Sequence, residues 1–121
     1  AVTKVIPDLE GKIDGMAYRV PVISSSVTDL TVKLKKDESI EKINELYKDA
    51  ASGNLKGILD CTYEELVSSD FIGNPYSCTI DLSLTSKIQG TGLFKIVGWY
   101  DNEWGYASRT SDLVNFISKK L

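Results

Sequence analysis

Two strand patterns follow one another between Gly15 and Leu34 with no helix between them. Met16, Tyr18 and Val20 alternate with Ala17 and Arg19 up to Val22. After a polar link from Ser24 to Ser26, Leu30, Val32 and Leu34 face one side, with Asp29, Thr31 and Lys33 opposite. Period-two alternation is the mark of a strand with unlike faces. A doubly wound parallel sheet needs a crossover helix between successive strands. This order argues against that architecture and for an α+β domain with a mixed, largely antiparallel sheet and helices on one face.

The rest of the chain fits the same plan. Val2, Val5, Ile6 and Leu9 have helical spacing, and Pro7 limits that helix to a short one. Ser39 is a helix N-cap, and Ile40, Ile43, Leu46, Tyr47 and Ala50 form one apolar stripe behind it. Gly53 stands where a left-handed residue ends such a helix. Leu55 to Leu59 reads as a short strand. Gly73-Asn74-Pro75 is a turn signal. Cys78, Ile80, Leu82 and Leu84 alternate with Thr79, Asp81 and Ser83. Leu93 to Tyr100 is apolar on both faces, as a central strand requires. Tyr106, Thr110, Leu113, Val114, Ile117 and Leu121 then follow helical spacing to the end.

At 121 residues the chain has room for one domain with a sizeable core. Its 42% apolar and 26% charged residues give the balance of a globular protein. The net charge is −3, and the densest basic group, Lys33, Lys35 and Lys36, runs straight into Asp37 and Glu38. Phosphate-backbone binding needs uncompensated basic clusters, so nucleic acid is not an expected partner. No apolar run reaches the roughly 20 residues that span a bilayer. Two cysteines are too few for a secreted disulfide framework, and a cytoplasmic location is expected. The chain opens on Ala1 rather than Met, so it is expected to be processed or part of something longer.

The absence of histidine removes whole classes of chemistry from the chain itself. Neither a Cys–His pair, nor a Ser–His–Asp triad, nor a histidine metal site can be assembled from it. Cys78 faces the buried side of its strand, where a thiol acts as a small hydrophobe. Cys61 adjoins Asp60, whose charge opposes a thiolate. No catalytic residue and no metal ligand set is assigned. Gly90-Thr91-Gly92 lacks the third glycine of a dinucleotide-binding loop.

Two places remain where chemistry can sit. The Arg19 guanidinium can hold a phosphate through two parallel bonds, the alternative being a surface arginine or an ion pair with one of the many acids. Trp99-Tyr100-Asp101-Asn102-Glu103-Trp104-Gly105-Tyr106 joins a buried strand to a helix. There Asp101 or Asn102 can cap the helix while the aromatics fill a core. Alternatively, Asn102 presents a donor and an acceptor that match a carboxamide, and Tyr106 covers a flat ring.

That stretch, together with Gly11-Lys12-Ile13-Asp14-Gly15-Met16-Ala17-Tyr18-Arg19-Val20-Pro21, resembles the phosphorylating glyceraldehyde-3-phosphate dehydrogenase family. Val27 to Thr31, Leu55 to Leu59 and Val67 to Phe71 fit the family pattern in order between them, so the resemblance covers essentially all 121 residues. Asp60-Cys61 stands where the family usually has Gly-Tyr, and Ser24-Ser25 replaces a segment that usually contains Asn.

The resemblance implies a cytoplasmic, typically tetrameric glycolytic oxidoreductase. In it a cysteine attacks glyceraldehyde 3-phosphate with a histidine assisting, hydride passes to NAD, and inorganic phosphate cleaves the thioester. It implies that Arg19 holds the substrate phosphate, that Asn102 bonds the nicotinamide carboxamide, and that Tyr106 flanks the ring. Residues 1–121 would be part of the catalytic domain, without the N-terminal Rossmann domain, the nucleophile or its histidine. The chain alone is then expected to be inactive. The alternative is a noncatalytic domain that acts as an interaction or assembly module.

Overall fold

A computed structural model describes residues 2–121. Its four strands form one sheet in the order β1-β4-β3-β2, from β1 (Ser26–Lys33), β2 (Leu59–Thr62), β3 (Cys78–Ile88) and β4 (Leu93–Tyr100). β1 pairs antiparallel with β4, β4 antiparallel with β3, and β3 parallel with β2. The sheet is therefore mixed and largely antiparallel. The helices are α1 (Val2–Val5), α2 (Ile40–Ser52) and α3 (Trp104–Ser118). Among the described residues no helix is long and apolar enough to cross a membrane.

α2 covers one face of the sheet. Ser39 caps it as expected, its hydroxyl accepting from Lys42 N–H at 3.1 Å. Ile43 enters a core with Ile80, Leu82, Phe94 and Ile96, and Val32, Tyr47, Leu59, Cys61 and Cys78 pack around it. The central-strand pattern of β4 is met at Phe94, Ile96 and Val97, which are all buried, while Lys95 between them is exposed. On the other face the Phe71 ring stacks on Trp99, with centroids 5.4 Å apart and planes 5° from parallel.

The structure departs from the sequence reading at five places. Residues 15–22 form no strand. Met16, Tyr18 and Val20 are exposed, and the segment pairs with neither edge of the sheet. Val22 N–H closes instead on the Val20 carbonyl at 2.9 Å, a tight turn around Pro21, which has no N–H for a ladder. Gly53 is not left-handed, with φ −104°. A glycine is needed there because a Cβ would lie 2.8 Å from the Asp49 carbonyl oxygen.

The strand placed at Leu55 begins only at Leu59, because hydrogen-bonded turns occupy the intervening stretch: Lys56 N–H bonds Gly53 O, and Ile58 N–H bonds Leu55 O. A register shift in β3 between Asp81 and Ser86 leaves Leu84 exposed, although Leu82 is buried. Finally, the apolar stripe of α3 is helical but uncovered. Only Gly105 of that helix is buried.

α3 is held by its start and by one side chain. Arg109 donates from Nη1 to the Gly57 carbonyl at 3.1 Å, and it is paired with Asp112 at 2.7 Å.

Candidate functional site

The site is the turn between β4 and α3, and its geometry starts from a buried carboxylate. Asp101 Oδ1 accepts from the N–H groups of Glu103 at 2.9 Å and Trp104 at 2.8 Å. Its Oδ2 accepts from Gly73 N–H at 2.9 Å. The bonds from Trp104 and Gly73 hold the carboxyl below the usual carboxylate range, against the opposing effect of burial. Asp101 therefore satisfies free N–H groups at the start of α3 and ties that start to the Gly73 turn. Of the two cap candidates, this residue takes the role and Asn102 does not.

Asn102 faces the other way. Its side-chain amide lies against the Ser26 hydroxyl, with Nδ2 2.9 Å and Oδ1 3.1 Å from Ser26 Oγ. One step along, Ser24 Oγ donates to Glu103 Oε2 at 3.3 Å. Between them Ser25 is buried and has φ 74°, the left-handed region that a serine rarely adopts. Its hydroxyl has no partner among the described residues. The sequence reading treated Ser24 to Ser26 as a polar link. Nothing in the sequence alone shows that Ser24 and Ser26 meet a turn more than 70 residues away.

Tyr106 lies in the first turn of α3 with its ring 77% exposed. It fills no core. Arg19 lies in the exposed, irregular stretch before β1, not in a strand. Among the described residues it makes no ion pair or side-chain hydrogen bond. The ion pair weighed against a ligand role is thus not formed, and Arg19 is an exposed surface arginine, the other alternative. Asn102 and Tyr106 are brought to one helix start, whereas Arg19 is joined to neither by a hydrogen bond.

Cys61 and Cys78 are both reduced, and both pack against the core. Burial pushes both thiols up; Asp60 adds to the rise at Cys61, and Cys61 adds to it at Cys78. An apolar cavity of about 270 Å³ opens between α2 and the sheet, lined by Val32, Ile43, Tyr47, Leu55 and Phe94 among others. None of the residues nominated from the sequence lines it.

Fold and site together define a mixed-sheet α+β domain that presents a polar turn and a bare aromatic ring. Residues 1–102 match the family model described as glyceraldehyde 3-phosphate dehydrogenase, C-terminal domain, and the chain belongs to that family. It is 46% identical over 121 residues to glyceraldehyde-3-phosphate dehydrogenase 2 of Streptomyces avermitilis, covering 100% of this chain and 36% of that protein. It is 50% identical over 121 residues to the glyceraldehyde-3-phosphate dehydrogenase of Mycobacterium avium, covering 100% and 35%. It is 48% identical over 120 residues to the cytosolic enzyme of Chlamydomonas reinhardtii, covering 99% and 35%. The chain spans about a third of the length of these relatives.

Proposed function

We propose that this chain is the C-terminal part of the catalytic domain of an NAD-dependent glyceraldehyde-3-phosphate dehydrogenase, a glycolytic oxidoreductase. Its substrates are glyceraldehyde 3-phosphate and inorganic phosphate, and its setting is a cytoplasmic homo-oligomer, a tetramer by family habit. The nucleotide-binding domain and the nucleophile are supplied by sequence outside these 121 residues. The chain contributes positioning groups.

The observation that carries the reading is the Asn102 amide, which is held on one side by Ser26 and exposed on the other. A primary amide has two N–H donors and an acceptor oxygen with two lone pairs. The contact with one hydroxyl leaves an N–H and a lone pair free, which is what a carboxamide partner needs. The bare Tyr106 ring at the same helix start suits a flat aromatic neighbour. The residues present therefore fit a nicotinamide ring. When bound, NAD supplies the hydride acceptor. Asn102 fixes which face of the ring meets the substrate, and Tyr106 limits the ring's freedom. Orientation of this kind matters because small misplacements cost large factors in rate. Arg19 is the phosphate-holding group, a charged fork without an internal partner to compete for it.

Asn102→Asp in the full-length enzyme tests the reading. Aspartate retains the acceptor but cannot donate to a carboxamide oxygen. The expected result is a raised Michaelis constant for NAD or a lowered turnover, with the melting temperature nearly unchanged. Unchanged NAD kinetics would overturn it.

A further inference from the structure

We infer that Ser26 is a positioning residue for the nicotinamide side of the site, acting through Asn102. The inference rests on the cofactor role of Asn102 and adds to it. Ser26 opens β1 and pairs with Tyr100, the last residue of β4. It is thus part of the hydrogen-bonded ladder. Asn102 lies beyond the ladder in a turn whose fixed point is Asp101, and the Asp101 carboxylate holds the N–H groups of Glu103, Trp104 and Gly73, not the Asn102 side chain.

The Asn102 side chain has no other recorded hydrogen-bond partner among the described residues than Ser26 Oγ, which meets both ends of the amide at 2.9 and 3.1 Å. A hydroxyl can donate to the oxygen or accept from the nitrogen. It therefore holds the amide in place while leaving the outward N–H and lone pair for a ligand. Without it, the side chain regains rotamer freedom that ligand binding must then remove.

The backbone around Ser26 is shaped for this contact. Ser25 is left-handed and buried with an unpartnered hydroxyl. On either side of that residue, Ser24 reaches Glu103 and Ser26 reaches Asn102. A non-glycine residue in a disfavoured conformation, flanked by two contacts to one turn, marks a segment held for position.

The test uses the full-length enzyme and four proteins besides wild type: Ser26→Ala, Ser26→Thr, Asn102→Ala and the Ser26→Ala/Asn102→Ala double variant. Dissociation constants for NAD and for ADP-ribose, which lacks the nicotinamide, are measured by calorimetry, alongside apo-protein melting. Loss of one neutral hydrogen bond predicts that Ser26→Ala weakens NAD about two- to tenfold. ADP-ribose should be unaffected, Ser26→Thr should restore NAD affinity, and Ser26→Ala should add nothing in the Asn102→Ala background.

Equal weakening of NAD and ADP-ribose would overturn the inference, as would additive losses in the double variant. So would full NAD affinity in Ser26→Ala while Asn102→Ala is impaired, with the cofactor role of Asn102 left standing. Full NAD affinity in Asn102→Ala would instead remove that role itself, and the inference with it. If Ser26→Ala melts too early to assay, Ser26→Cys keeps the side-chain volume, lacks a strong hydrogen bond, and must show the same NAD-selective loss.

Discussion

Gly105 lies so close to Tyr76 that a Cβ on the glycine would stand 2.8 Å from the tyrosine's carbonyl oxygen. Helix propensity alone favours alanine over glycine by about 1 kcal/mol. The contact reverses the sign, because the obstruction is backbone and cannot rotate away. Gly105→Ala should destabilise the protein by about 1–3 kcal/mol, read as a lower urea midpoint. Ser111→Ala, at an exposed position of the same helix, is the control and should be neutral or slightly stabilising. A raised midpoint for Gly105→Ala would show that the Tyr76 loop yields.

Asp101 makes the turn sensitive to acid. Its folded-state carboxyl titrates below the ordinary value of about 4, through the N–H groups of Trp104, Gly73 and Glu103. A depressed carboxylate stabilises the fold fully above its unfolded value, and the contribution is lost as the pH falls through the lower folded value. Asp101→Asn loses a charge-assisted bond, at a cost of about 1.5–3 kcal/mol near neutral pH. The difference from wild type should shrink below pH 4. Denaturant titrations at several pH values check this; a pH-independent difference would assign the loss to packing.

Arg19→Leu in the full-length enzyme should weaken the phosphorylated substrate. Loss of a hydrogen bond to a charged group costs about 1.5–3 kcal/mol. Non-phosphorylated glyceraldehyde should be far less affected, since the lost partner is the phosphate. Comparing kcat/KM for the two substrates decides the matter, and equal losses would remove Arg19 from the substrate site.

The 121 residues produced alone should give no turnover with glyceraldehyde 3-phosphate, NAD and phosphate, and they should self-associate. Leu113, Val114, Phe116 and Ile117 are all at least half exposed along α3, and Ile23 is fully so. Apolar surface of this extent seeks cover. Light scattering that shows a clean monomer, together with a sharp melting transition, would contradict the expectation.

The sheet was legible because β4 and α2 carry their environments in their residue order. A short run with apolar residues on both faces, Leu93–Tyr100, fits a central strand, and Ser39 ahead of a helical stripe marks a start that the hydrogen bond to Lys42 N–H bears out. Residues 15–22 misled because alternation reports a chain that can pair, not one that is paired; a tight turn around Pro21 stands where a ladder would run. Leu84 misled because the β3 register shift leaves no local signal. At the site, Asn102 and Tyr106 could be nominated from amide and ring chemistry. Their setting could not, since Ser24 and Ser26 are ordinary polar residues until the fold brings them to residues 103 and 102.

The edge position of β1 has a consequence for synthesis. Among the described residues its only strand neighbour is β4, so from Lys33 to Leu93 the emerging chain carries a strand whose partner in this sheet has not been made. At about 5–20 residues per second, roughly 60 residues is a wait on the order of 3–12 s. During that interval the Val27–Leu30–Val32 segment is an open template. Asp29 and Lys33 set charges beside its apolar positions, the kind of side chain that disfavours pairing with another chain until Leu93–Tyr100 is made and closes the ladder.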